Sequence, residues 1–65
     1  MIEVNGKKLV WEEGMTVRRV LQLMNYTFPL IIVRVNGELI DNQDWDTALI
    51  PQGASVQALH QMAGG

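Results

Sequence analysis

The sequence predicts an α+β domain, a mixed four- to five-stranded sheet packed on one face by one main helix. Three observations predict it. Asn-Gly occurs twice, at Asn5-Gly6 and Asn36-Gly37, each time between short runs that carry apolar residues. That dipeptide readily takes the positive φ angles of a type I′ turn and is a strong short-range hairpin signal. Between the two, Val17, Val20, Leu21 and Met24 fall at i, i+3, i+4 and i+7 and define one apolar helix face. After the second hairpin a further strand-like run, Ser55 to Met62, is left without a neighbour in sequence to pair with.

The first hairpin is read from Ile2 and Val4 alternating with Glu3, then Asn5-Gly6, then the apolar residues Leu9, Val10 and Trp11. Glu12-Glu13-Gly14 breaks that pattern. Thr16 is placed to cap a helix, because its hydroxyl can accept a hydrogen bond from a free N–H of the first turn. Only about two turns follow, too few to persist alone in water, so the helix must form by laying its apolar stripe on the sheet. Asn25 can end it. Pro29 biases Phe28 toward extended backbone and so directs the chain into Leu30 to Val35, which is apolar on both faces except for Arg34, as in a central strand. Asn36-Gly37 turns that strand into Glu38-Leu39-Ile40.

Asp41 to Pro51 reads as an irregular loop with room for one short helical turn, pinned by Trp45 and the Ala48-Leu49-Ile50 cluster. Gln52-Gly53 is a turn. In the last strand Val56 and Ala58 share a face with His60 and Met62, whereas Leu59 lies opposite with Ser55, Gln57 and Gln61. To be covered by the helix that strand must enter the middle of the sheet. Two hairpins flanking a helix, with the last strand inserted between them, is the order of the β-grasp, or ubiquitin-like, fold.

At 65 residues the chain forms one domain near the lower size limit for a single core. With no cysteine, neither disulfides nor thiolate metal sites can reinforce it, and stability rests on the 48% of residues that are apolar. A net charge of −2 with only five Lys and Arg argues against nucleic acid as the main partner. The N-terminus lacks a basic segment followed by an apolar one, and no run approaches the roughly 20 apolar residues of a membrane span. A cytoplasmic protein is expected.

Val33-Arg34-Val35-Asn36-Gly37-Glu38-Leu39-Ile40, Trp45 five residues later, Pro51-Gln52-Gly53, and the ending Met62-Ala63-Gly64-Gly65 together resemble the ThiS-type sulfur carriers of thiamine biosynthesis, a ubiquitin-like, MoaD-like family. Asn5-Gly6 and Gly14-Met15-Thr16-Val17 extend the likeness to the first half. The chain departs from the family pattern at Ala54, where an Asp is frequent, and at Gln61 and Met62, where Val or Ile is.

The resemblance implies a division at Met62, with a β-grasp domain over 1–62 and a flexible tail over 63–65. It implies that an E1-like adenylating enzyme of the ThiF type uses ATP and Mg²⁺ to adenylate the carboxylate of Gly65. A sulfur donor of the cysteine desulfurase or rhodanese type then displaces AMP to leave a thiocarboxylate, which a thiazole synthase of the ThiG type consumes. This chain is then no enzyme and binds no cofactor itself. The residues suit the role. Ala63, Gly64 and Gly65 span about 10 Å when extended, and glycine can thread a narrow slot because it has no Cβ. Ordering two glycines costs on the order of 2–4 kcal/mol, so the folded domain must supply the binding.

Leu59 and Met62 lie beside this tip and either pack against Trp11, Trp45 or loop residues or form an apolar docking patch for the partner. His60 stands without a second histidine and is expected at the rim rather than on a metal. Asp41, Asp44 and Asp46 lack the glycine and glutamate of a calcium loop and read as a solvated acidic loop. Arg18 and Arg19 at the helix start are read as solvent-facing, with docking to an acidic partner as the alternative. Carriers for molybdopterin, tRNA thiolation or amino-acid synthesis, a ubiquitin-like modifier joined through Gly65, and a passive interaction module remain the competing expectations.

Overall fold

The computed structural model describes residues 1–26 and 30–60. In chain order the elements are β1 (Ile2–Val4), β2 (Lys7–Leu9), α1 (Val17–Leu23), β3 (Ile31–Val35), β4 (Glu38–Ile40), a 3-10 turn (Asn42–Asp44) and β5 (Ser55–His60). The five strands form one sheet in the order β2-β1-β5-β3-β4. β5 runs parallel to β1 and antiparallel to β3, so the last strand does enter the middle and joins the two hairpins. This is the β-grasp arrangement.

Both hairpins close through two-residue turns, with Val4 opposite Lys7 and Val35 opposite Glu38. Asn5 and Gly6 have φ of 52° and 81°, and Asn36 and Gly37 have 51° and 83°. That left-handed backbone is what Asn-Gly tolerates and β-branched residues resist.

The helix covers one face. Val17, Val20 and Leu21 are buried against Ile2 and Val4 of β1, Val33 and Val35 of β3, and Val56 and Ala58 of β5, and Met24 packs at the margin. Thr16 Oγ1 accepts from Arg19 N at 3.2 Å, as a capping threonine should. The other first-turn donors are also satisfied: Val17 N donates to Ala48 O at 3.0 Å, Arg18 N to Trp45 O at 2.9 Å and Val20 N to Thr16 O at 3.1 Å. The loop after β4 thus completes a helix end that would otherwise leave free N–H groups. At the other end Asn25 takes φ 59°. Tyr26 N donates to Leu21 O at 2.9 Å and Asn25 N to Gln22 O at 3.1 Å, the Schellman pattern.

Several expectations shift. β2 stops at Leu9 and does not include Val10 and Trp11; Trp11 instead reaches across the fold, its Nε1 donating to Ile50 O at 2.7 Å. β3 begins at Ile31, leaving Leu30 exposed ahead of it. Trp45 and Ile50 do pin the loop, whereas Leu49 is 66% exposed, because its backbone bridges Thr16 while its side chain turns to solvent. Phe28 and Pro29, and the boundary placed at Met62, lie outside the described residues. Among the described residues no helix is long and apolar enough to cross a membrane.

Candidate functional site

Met62, Ala63, Gly64 and Gly65 lie outside the described residues, so the describable part of the site is the platform from which they continue. β5 delivers the chain to that point. It is held by β3 along its whole length, with Val35 opposite Val56, Arg34 opposite Gln57, Val33 opposite Ala58, Ile32 opposite Leu59 and Ile31 opposite His60. On its other edge β1 supports only the first residues, where Glu3 faces Ser55 and Val4 faces Val56.

Because residues directly opposite each other share a face, the register sorts the side chains of the uncovered side. Over β2, β1 and the beginning of β5 it is polar, with Lys8, Glu3, Ser55 and Gln57. Toward the end of β5 it becomes apolar. Leu59 is 49% exposed, Ile32 beside it is half-buried, and Leu39 of β4, which shares this face through its pairing with Arg34, is 60% exposed. A depression at β3 and β4 is lined by Ile32, Arg34 and Leu39 of this face together with Ile31, Ile40, Asp41 and Asn42.

Leu59 therefore does not pack against Trp11 or Trp45, both of which belong to the helix-side core or its margin. Ile32 and Leu39 were not singled out by sequence reading, which took β3 as a central strand apolar on both faces except for Arg34. A single short helix can cover only one face of a five-stranded sheet, and that arithmetic was the available signal.

Of the other candidates, His60 is exposed at the end of β5. Asp41, Asp44 and Asp46 are exposed, as a solvated loop requires, and no group of three or more His, Cys, Asp or Glu suited to a metal occurs among the described residues. Arg19 faces solvent. Arg18 corrects the expectation in part: although exposed, its Nε donates to Asp46 Oδ1 at 2.9 Å and its guanidinium lies 5.4 Å from the Trp45 ring centroid. It helps hold the loop to the helix start, where a free cation would be disfavoured.

The model of the ThiS family matches residues 1–65. Among solved structures, the crystal structure of the thiamine biosynthesis protein (ThiS) from Geobacter metallireducens superposes with a TM-score of 0.79 at 25% identity, covering 98% of this chain and 97% of that one. The solution structure of a thiamine biosynthesis protein from the same organism gives 0.73 at 27% identity over 98% of this chain and 86% of the other. No curated protein matches.

Proposed function

This chain belongs to the ThiS family of sulfur carriers, and from that premise we propose that the carboxylate of Gly65 is the group it carries sulfur on, for the thiazole ring of thiamine. The observation that carries the reading is the family match over the whole chain. A carboxylate is a poor acceptor of nucleophiles, because its charge repels them and oxide is a poor leaving group. Its attack on the α-phosphorus of ATP, with Mg²⁺ and within an E1-like enzyme of the ThiF type, expels pyrophosphate and forms an acyl adenylate. The persulfide sulfur of a donor of the cysteine desulfurase or rhodanese type then displaces AMP to give an acyl disulfide. A second thiol cleaves its S–S bond, ending as a disulfide with the donor and releasing the thiocarboxylate that a ThiG-type thiazole synthase takes up. All of this activation is the partners' work, and the chain acts as a substrate.

The platform supports the reading in two ways. Residues 61–65 extend at most about 17 Å, so any enzyme that holds the tip must rest close to His60. The apolar part of the uncovered face, Leu59 with Ile32 and Leu39, lies within that reach, and together with Met62 it forms the proposed docking surface. Ala63, Gly64 and Gly65 then enter the partner's active site, where two residues without Cβ permit a narrow passage.

Incubation with the activating enzyme, ATP, Mg²⁺ and a sulfur donor should change the intact mass by one oxygen-to-sulfur exchange, located in the C-terminal peptide. An unchanged mass, or an exchange elsewhere in the chain, refutes the proposal. Isopeptide-linked Gly-Gly on other proteins would mark a modifier instead.

A further inference from the structure

Near its end, β5 is met on its inner edge by the side chain of Asn5. β1 stops at Val4 because the chain turns at Asn5-Gly6, and its backbone pairing with β5 ends where Asn5 N donates to Val56 O at 2.9 Å. The Asn5 carboxamide then takes over. Its Nδ2 donates to Ala58 O at 2.9 Å and its Oδ1 accepts from Ala58 N at 2.9 Å, so one primary amide satisfies both Ala58 groups that continued parallel pairing would have shared between two residues of β1. A third contact, Nδ2 to Tyr26 Oη at 3.2 Å, connects this amide to the residue that closes the helix C-terminus.

We propose that Asn5, supported by Tyr26, is a positioning residue for the C-terminal tail: it fixes the inner-edge pairing of β5 at Ala58, two residues before His60, and so restrains the end of the strand from which the tail continues. This deepens the carrier reading and its functional half rests on it. Positive φ at this turn position would be met equally well by glycine, so asparagine is needed here for its side chain. The second turn provides an internal contrast. Asn36 Oδ1 accepts from Ser55 N at 2.9 Å, gripping β5 at its beginning, far from the tail.

The decisive variants follow from that symmetry. Asn5→Gly keeps the turn and deletes the clamp, and Asn36→Gly makes the same change at the other hairpin. In Asn5→Gly, amide hydrogen exchange at Ala58 should accelerate selectively, while Gln57, which pairs toward β3, keeps its protection. With the activating enzyme, pyrophosphate release should lose about tenfold in kcat with KM unchanged, because docking persists while the tip spends less time in place. Asn36→Gly should retain the wild-type kcat. Tyr26→Phe, which removes only a hydroxyl, should shift Ala58 exchange and kcat in the same direction by less, and it serves should Asn5→Gly fail to fold.

Unchanged Ala58 exchange, or equal loss of kcat in the Asn5 and Asn36 variants, overturns the proposal. If the wild-type chain is not adenylated at all, the carrier reading falls and takes the positioning role with it, whereas Ala58 exchange still decides whether the clamp exists.

Discussion

The two faces of the sheet are made from alternate residues of the same strands, yet they have opposite fates. On one, Val33, Val35, Val56 and Ala58 are closed under the helix; on the other, Ile32, Leu39 and Leu59 stay partly open to solvent. Residue type does not explain this, since aliphatic side chains occupy both. The cover does: one seven-residue helix and one pinned loop suffice for a single face. The difference teaches that hydrophobicity on the covered face maintains the fold, while on the open face it is what the proposed docking would use.

The sharpest test compares the two directly. Ile2→Ala, at a site 1% exposed on the covered face, should cost about 2–5 kcal/mol in urea unfolding. That is a large share of the total for so small a domain. If it costs no more than a surface change, the division between faces is wrong. Leu59→Asp should leave the unfolding midpoint within about 0.5 kcal/mol and weaken the complex with the activating enzyme by about 1–2 kcal/mol, read by titration calorimetry. Unaltered affinity would remove the open face from the docking surface.

Smaller effects probe the cover itself. Thr16→Ala should lose about 1 kcal/mol through the missing cap, seen as a lower thermal midpoint. Asp46→Ala should cost well under about 1 kcal/mol, because the pair it forms with Arg18 is 44% and 68% exposed at the side chains. The Asp46 effect should fade further when unfolding is repeated in high salt, whereas the Thr16 effect should not.

What the sequence revealed and what it hid divide by the range of the interaction. Both hairpin turns, the Thr16 cap and the Asn25 stop depend on residues within a few positions of one another, and all were legible. Trp11 was read into a strand because its bond to Ile50 spans the fold and leaves no local trace. Asn5 was read correctly as a turn residue and incompletely as a structural one, since nothing in Asn-Gly tells that the side chain will meet Ala58. For the site, Leu59 was placed on the outer face by simple alternation. Ile32 was not, because the apolar run from Leu30 to Val33 carries no alternation to read, nor was Leu39, because Glu38-Leu39-Ile40 is too short to show one. Ala54, one of the positions at which the chain departs from the family pattern, is 2% exposed and belongs to the core.

The position of β5 also bears on when this protein comes into being during synthesis. The strand that joins the two hairpins follows all the other described strands in the chain, and the acceptors that complete the first turn of α1 sit at Trp45 and Ala48, well after the helix. Neither the sheet nor the helix end can close on a nascent fragment. Folding is therefore expected as one late, cooperative event dominated by contacts distant in sequence, and unfolding followed by tryptophan fluorescence and by far-ultraviolet circular dichroism should give superimposable curves. A chain broken off before β5 would be missing the tail and the fold together, so an incompletely made carrier has no platform with which to engage, and block, the enzymes that await it.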